Sequence, residues 1–149
     1  MEAQVRHAVE RDLEDLLSLY KHLNRDDPSL ELTPPLIDQW RSILANPMIH
    51  YFVVEMAGQL VSSCTITIIP NLTRQARPYG VIENVVTHQD YRGRGLGTRV
   101  LEAALRSAWQ QGCYKVMLMT GSKREETLRF YERAGFKRGE KTAFLARPS

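Results

Sequence analysis

The sequence has few cysteines and lacks any long apolar run. Only two of its 149 residues are cysteine, Cys64 and Cys113, and they form no Cys-x-x-Cys motif. This excludes a disulfide-stapled scaffold and is typical of two buried, reduced thiols in a cytoplasmic protein. No stretch approaches the ~18 apolar residues that span a membrane, and the N-terminus lacks the apolar centre of a secretion signal. We therefore expect a cytoplasmic protein with no membrane partner.

Histidine is also scarce, and nothing divides the chain into parts. The four histidines, at positions 7, 22, 50 and 88, show no metal-ligand spacing, so we expect no metal. The sequence contains no repeat, low-complexity tract or linker, and its length suits one domain. We therefore expect a single domain over residues 1–149.

Positive charge is concentrated in the second half of the chain. Residues 1–75 carry 6 lysines and arginines against 10 aspartates and glutamates, whereas residues 76–149 carry 14 against 7. This imbalance favours an anionic ligand in the second half. The basic residues are spread along helices without interleaved aromatic residues, so we expect no nucleic-acid partner.

A glycine-rich turn is the strongest local signal. Residues 92–97 read Arg-Gly-Arg-Gly-Leu-Gly, between a strand pattern over residues 79–87 and an amphipathic helix pattern over residues 98–111. Such a turn favours anion binding, because the first N–H groups of a helix have no internal partner. Thr98-Arg99 replaces the Lys-Ser/Thr pair of a P-loop, and the glycine spacing is not that of a dinucleotide fold.

The pattern of helix and strand signals along the whole chain predicts an α/β (α+β) fold. Residues 57–59 indicate a hairpin turn. Helices are predicted from Asp12, from an N-cap at Thr33, and over residues 98–111 and 127–134. Strands are predicted over residues 4–9, 50–56, 60–69, 79–87, 114–120, 136–138 and 142–147.

Two segments resemble the signatures of the GNAT superfamily of N-acetyltransferases. Residues 82–97 resemble its acetyl-CoA signature, and residues 128–136, which contain Phe-Tyr-Glu and Gly-Phe, resemble its second signature. The order of the elements also matches, so the resemblance covers essentially the whole chain. It implies a mixed, mostly antiparallel sheet of six to seven strands with flanking helices. The fourth and fifth strands of that sheet splay apart in a V.

The resemblance implies acetyl-CoA as acetyl donor, with coenzyme A as product. The backbone of Val85, Val86 and Thr87 would pair with the pantetheine arm like an added strand. Arg124 stands where many members have asparagine, and either it contacts a cofactor phosphate or Ser122 takes over the hydrogen bond. The turn's N–H groups would hold the pyrophosphate, while its arginine side chains either reach phosphates or are solvated. The residues of the turn are Arg92, Gly93, Arg94, Gly95, Leu96, Gly97 and Thr98.

Acetyl transfer needs a neutral amine, donors for the oxyanion and a proton for the departing thiolate. The resemblance implies that Tyr131 contacts the cofactor and protonates the thiolate; the alternative is a half-buried aromatic residue without a catalytic role. Glu83 is the candidate base, because strand alternation places it on the same face as Val85 near the cleft. A relay through water alone and a Glu83 paired with an arginine stay open as alternatives.

The resemblance implies direct transfer, in a ternary complex, to a small-molecule amine. Members that act on aminoalkylphosphonates and on glucosamine 6-phosphate are similar in layout. A phosphorylated or acidic amine would suit Arg74, Arg77, Lys123 and Arg124. Peptide or protein N-acetylation and a non-catalytic acyl-CoA-binding module stay open as alternatives, and a homodimer is possible.

Overall fold

A five-stranded sheet organises the fold, and its strands lie side by side in chain order. The computed structural model describes residues 2–149. All neighbouring strands are antiparallel except β4 and β5, which are parallel. The strands are β1 (Gln4–His7), β2 (Ile49–Met56), β3 (Gln59–Ile69), β4 (Tyr79–Thr87) and β5 (Val116–Leu118). The helices are α1 (Leu13–Tyr20), α2 (Pro34–Ala45), α3 (Thr73–Ala76), α4 (Leu96–Gln110) and α5 (Glu125–Arg133). Of these, α3 is a single turn in which Arg74, Gln75 and Ala76 have positive φ.

Local sequence signals explain where several elements begin and end. The β2–β3 hairpin turns at Ala57 and Gly58, whose φ values of +54° and +74° match the twist of the flanking strands. Thr33 caps α2 by accepting a hydrogen bond from the N–H of Leu36 at 3.4 Å. The mixed α/β class is therefore as predicted, and so is the order of these elements up to α5, except for α3, which the sequence did not predict.

The first of two compact units extends to Leu118 and contains the whole sheet. Side chains of α1 and α2 cover one face, where Leu16, Leu19 and Trp40 pack against Val53 and Val86. Helix α4 contributes a second buried surface, and the thiol of Cys64 on β3 reaches the carbonyl of Val100 at 3.5 Å. The buried residues of α4 are Leu96, Gly97, Val100, Leu101, Ala103, Ala104 and Ala108.

The second unit, Met119–Ser149, contains α5 and no strand among its described residues. The predicted strands over residues 136–138 and 142–147 are therefore wrong, and the sheet has five strands rather than six to seven. The chain after α5 folds back on the helix instead, because Arg138 donates to Glu125 and, at 2.9 Å, to Glu132. A short strand is stable only beside another strand, and this unit supplies none.

No helix within residues 2–149 is long and apolar enough to cross a membrane.

Arg6 joins β1 to the start of α1 through a largely buried ion pair. Its guanidinium donates to Asp12 at 2.7 and 3.0 Å and to Glu55 at 2.8 Å, and the N–H of Val9 donates to Asp12 at 2.7 Å. Burial on its own raises the pKa of Asp12, but the hydrogen bonds from Arg6 and Val9 lower it below its usual value. Asp12 therefore stays ionised and anchors this segment from the end of a 3-10 turn, one residue before α1 begins.

We expect Arg6→Ala to lower the free energy of unfolding by about 3 kcal/mol, because Asp12 would keep an uncompensated charge at 4% side-chain exposure. Denaturant unfolding measures this loss. The control Arg41→Ala removes an ion pair with Glu10 in which both side chains are more than half exposed, and we expect it to cost less than about 1 kcal/mol.

The same pair gives a pH dependence of defined sign. Folding lowers the pKa of Asp12, so the ionised carboxylate stabilises the protein fully at pH values above its pKa in the unfolded chain, ~4. This stabilisation is lost as the pH falls towards the lower pKa of the folded protein. The stability difference between wild type and Arg6→Ala should therefore narrow at acidic pH. A difference that stays constant down to pH ~3 would contradict this assignment.

Candidate active site

Strand β4 carries one extra residue opposite β3. Ser63 and Thr65 of β3 are two positions apart. Their partners on β4, Val86 and Glu83, are three positions apart. Asn84 absorbs the extra length with a φ of +54°, a left-handed conformation that asparagine tolerates better than most residues. Such a bulge bends a strand and changes the direction of its backbone groups. The sequence predicted an unbroken strand here, and the one signal of the bulge was an asparagine within an apolar run.

The bulge also decides the face on which Glu83 lies. Glu83 pairs with Thr65 and Val86 pairs with Ser63. Alternate residues of β3 share a face, and directly opposite residues do as well, so Glu83 lies on the same face as Val86. The expectation that it shares a face with Val85 is wrong, because simple alternation assumes no inserted residue. Glu83 is exposed, and within residues 2–149 it forms no ion pair.

Strands β4 and β5 are paired over three residues only. Gly80, Val81 and Ile82 lie opposite Val116–Leu118, and the parallel pairing then ends. Residues 83–87 continue along β3, and in the described sheet no strand lies on their other side. Pairing is therefore lost where the splay was predicted, because β5 ends at Leu118, and this half of β4 offers an edge to which an extended chain can add.

The turn after β4 is shaped by two glycines with positive φ. Gly93 has a φ of +78°, and Gly95, which precedes α4, has a φ of +76°. A Cβ at either position would meet no atom within 4 Å, so these glycines serve the backbone conformation rather than close packing. In the described chain no side chain caps α4 and no acidic residue lies in its first turn. The N–H groups of Leu96, Gly97 and Thr98 therefore suit an anion.

Arg92 ties this turn to two other segments. Its side chain donates to the carbonyl of Thr87 at 3.1 Å and to the carbonyl of His22, which follows α1, at 3.3 Å. The His22 ring lies against the His88 ring with centroids 4.0 Å apart. Burial, His88 and Arg92 lower the pKa of His22, so this ring is neutral at pH 7.

Arg94 also contacts the protein. Its guanidinium lies over the Tyr91 ring at 4.9 Å and donates to the carbonyl of Asp90 at 3.4 Å. Both arginines of the turn thus hold its shape in this structure. Contact between either side chain and a phosphate stays a prediction.

The second unit places its two predicted site residues at opposite ends of α5. Arg124 precedes the helix, is exposed, and pairs with Glu126 at 2.9 Å. Tyr131 lies in the last turn and is half-buried, with its ring 5.0 Å from that of Phe130 and edge-on to that of Phe136 at 6.4 Å. The roles of both residues stay predictions.

Neither cysteine is available as a nucleophile. Cys64 and Cys113 are free and buried, as the sequence predicted. Burial raises the pKa of the Cys64 thiol to about 12, and burial also raises the pKa of Cys113. Both thiols are therefore protonated at neutral pH, which disfavours an acyl-cysteine intermediate.

We expect Gly95→Ala to weaken binding of the acetyl-CoA that the resemblance implies by about tenfold, because a turn that relaxes to escape roughly 1–2 kcal/mol of strain no longer presents its N–H groups to the anion. Calorimetric titration measures the change. Gly58→Ala is the matched control, since Gly58 has a similar φ of +74° and equally open surroundings but lies in the β2–β3 turn. It should lower stability and leave the Kd unchanged. Equal effects of the two variants on the Kd would refute a role for the turn in binding.

Three proteins resemble the chain over nearly its full length. A glucosamine 6-phosphate N-acetyltransferase of Trypanosoma brucei brucei is 34% identical over 143 residues, which cover 95% of this chain and 93% of the relative. An aminoalkylphosphonate N-acetyltransferase of Salmonella typhimurium is 27% identical over 134 residues, which cover 90% and 84%. A solved structure from Agrobacterium tumefaciens is 43% identical with a TM-score of 0.92, covering 97% of this chain and 99% of that one.

The family model described as Acetyltransferase (GNAT) family matches residues 16–136. This range contains the bulged strand, the glycine turn and the Phe-Tyr-Glu segment, which carried the resemblance in the sequence. The chain therefore belongs to the GNAT family of acetyltransferases.

Proposed function

We propose that this enzyme transfers the acetyl group of acetyl-CoA directly to the primary amine of a small phosphorylated or acidic molecule. The observation that carries the proposal is the succession along residues 83–98 of a bulge, a strand edge without a partner strand and an uncapped glycine turn. The edge suits the amides of a pantetheine arm, and the turn suits a pyrophosphate.

The backbone after the bulge is held in place by side chains. The carbonyl of Val86 accepts from the Ser62 hydroxyl at 3.0 Å, and that of Thr87 accepts from Arg92 at 3.1 Å. The Ser62 hydroxyl also lies 2.9 Å from the hydroxyl of Thr87. In our proposal this preorganised segment, with Val85, pairs with the pantetheine arm, and a backbone N–H near Val86 polarises the thioester carbonyl.

Glu83 and Tyr131 serve the two proton transfers in the proposed reaction. Acetyl-CoA supplies an activated thioester, which the neutral amine nitrogen attacks at the carbonyl carbon. Glu83 accepts the proton that the amine loses, directly or through water. The carbon–sulfur bond then breaks, and the Tyr131 hydroxyl gives its proton to the thiolate. The burial of both cysteines and the raised pKa of each thiol support direct transfer over an acyl-cysteine intermediate.

The names of two relatives support an anionic substrate, since glucosamine 6-phosphate and aminoalkylphosphonates combine an amine with a phosphorus oxyanion. Of the basic residues considered above, Arg77 donates to the carbonyls of Gly112 and Cys113, and Arg124 pairs with Glu126. The remaining two are Arg74 and Lys123, and neither forms an ion pair within residues 2–149. We propose Arg74, whose guanidinium lies over the Tyr114 ring at 5.7 Å, as the first candidate for contact with the acidic group, and Lys123 as a separate alternative.

A panel of amines tests the substrate class. With release of free thiol as the readout, glucosamine 6-phosphate or an aminoalkylphosphonate should exceed its unphosphorylated analogue in kcat/KM by at least about tenfold. A preference for polycationic amines or peptide N-termini would overturn this choice of substrate. Acetyl-CoA binding without thiol release for any amine would indicate a non-catalytic module.

Tyr131→Phe tests the acid. We expect kcat to fall by about 10²-fold, because the thiolate loses its proton donor, while acetyl-CoA affinity changes little. Tyr114→Phe removes a hydroxyl from the segment that precedes β5 and serves as the matched control. A Tyr131→Phe rate equal to the wild-type rate across the pH range would remove this residue from the mechanism.

A further inference from the structure

A row of residues crosses three strands at the position of Glu83. Thr65 on β3 lies directly opposite Glu83, and Tyr51 on β2 lies directly opposite Thr65. Residues in such pairs share a face, with Cβ atoms about 5 Å apart. This face is the one that α1 covers, because Val86, which shares it, belongs to the core cluster with residues of α1. The last residue of α1, Tyr20, packs against the same cluster.

Two hydroxyl groups on this face lack partners. The oxygens of the Tyr20 and Thr65 hydroxyls are sealed from solvent, and neither forms a hydrogen bond within residues 2–149. Burial is the largest influence on the pKa of Tyr20 and raises it, Tyr51 raises it further, and the Thr65 hydroxyl lowers it. The two hydroxyls therefore lie near each other without meeting the geometry of a direct hydrogen bond. The phenol remains protonated at physiological pH, so it is a permanent donor.

A buried hydroxyl without a partner loses the hydrogen bonds that water gave it in the unfolded chain. Native proteins meet this loss most often with an ordered water, which needs two to four polar partners. Tyr20 and Thr65 supply two, and Glu83, an exposed residue that pairs with Thr65 across the strands, is the residue whose register allows it to supply a third. An apolar filling of the same space would satisfy none of them.

We propose that Tyr20 and Thr65 hold one ordered water beside Glu83 and act as positioning residues for its carboxylate. The inference rests on the proposed role of Glu83 as base. The water accepts from the Tyr20 hydroxyl, shares a hydrogen bond with Thr65 and donates to Glu83. Donation to a carboxylate favours its ionised form and limits its rotation. The base is thereby kept ready, at the start of the bulge, to accept the proton of the amine.

A double-mutant cycle tests the water site without reference to catalysis. Tyr20→Phe and Thr65→Val remove one hydroxyl each with little change of shape, and each should lower the unfolding midpoint in urea. The double variant should lose less than the sum, because both changes remove the same water. Thr67→Val is the control, since Thr67 lies on the same face of β3 but pairs with Val81. It should show no coupling to Tyr20→Phe.

The pH profile of kcat/KM tests the positioning role, provided that KM is calculated on the concentration of neutral amine so that the substrate's own titration is removed. The acid limb should move to higher pH by about 0.5 unit in both Tyr20→Phe and Thr65→Val, because the carboxylate loses a donor. Thr65→Ser keeps the hydroxyl and should restore the wild-type profile. Glu83→Gln should abolish the limb. A merely structural role for the two hydroxyls would change kcat or stability and leave the midpoint of the limb in place.

The outcomes separate this inference from the proposed function. Additive losses in the cycle, or a Thr65→Val protein more stable than wild type, overturn the water site. A shifted limb that is absent in Glu83→Gln supports the whole inference. A limb that persists in Glu83→Gln removes Glu83 as base, and the positioning role falls with it, whereas coupling in the cycle would still support the water site. If the acid limb has the wild-type midpoint in Tyr20→Phe and Thr65→Val but is absent in Glu83→Gln, Glu83 remains the base and the positioning role is overturned.

Discussion

Asn84 adopts a left-handed backbone conformation in the middle of a strand, and the geometry of the candidate site follows from it. The extra residue shifts the register between β3 and β4, which moves Glu83 to the face of Val86. It lies just beyond the point where β4 loses its pairing with β5. One dihedral angle thus sets the face of the proposed base and the direction of the backbone that follows it. Asparagine meets this requirement at lower cost than a β-branched residue would.

The sequence predicts the elements that depend on local chemistry. The Thr33 cap, the Ala57–Gly58 turn and the glycine turn before α4 each use residues whose own conformational preferences favour that structure. The bulge was not predicted, because the residues around Asn84 fit a regular strand equally well until β3 imposes the register. The strands expected after α5 do not form for a related reason, since a segment with strand propensity forms a strand only where a partner strand lies beside it.

Side-chain roles depend on contacts that a sequence pattern does not contain. Arg92 looked equally suited to a phosphate or to solvent, yet it donates to the carbonyl of His22, 70 positions earlier in the chain. Asp12 fits the acidic first turn of a helix, yet its carboxylate is buried against Arg6. In both cases the residue type indicates charge, and only the fold determines which partner that charge meets.

The two ends of α1 show opposite treatments of buried polar groups. Before its first residue, the Asp12 carboxylate receives hydrogen bonds from Arg6 and Val9. At its last residue, the Tyr20 hydroxyl meets no protein partner within residues 2–149. Fully satisfied groups fix a structure, whereas a buried hydroxyl without a protein partner calls for a water. In our proposal the helix is anchored at its first end by an ion pair and holds an ordered water at its last residue.

The open space around Gly93 and Gly95 has an evolutionary consequence. Within the protein itself, the constraint at these two positions is the handedness of the backbone. The exchange that meets it at least cost is therefore to asparagine, the residue that already adopts such a conformation at Asn84. Aspartate shares that conformational preference, but its negative charge would lie where an anion is to bind. Homologues without glycine at these positions should therefore carry asparagine, with its larger amide side chain, more often than alanine.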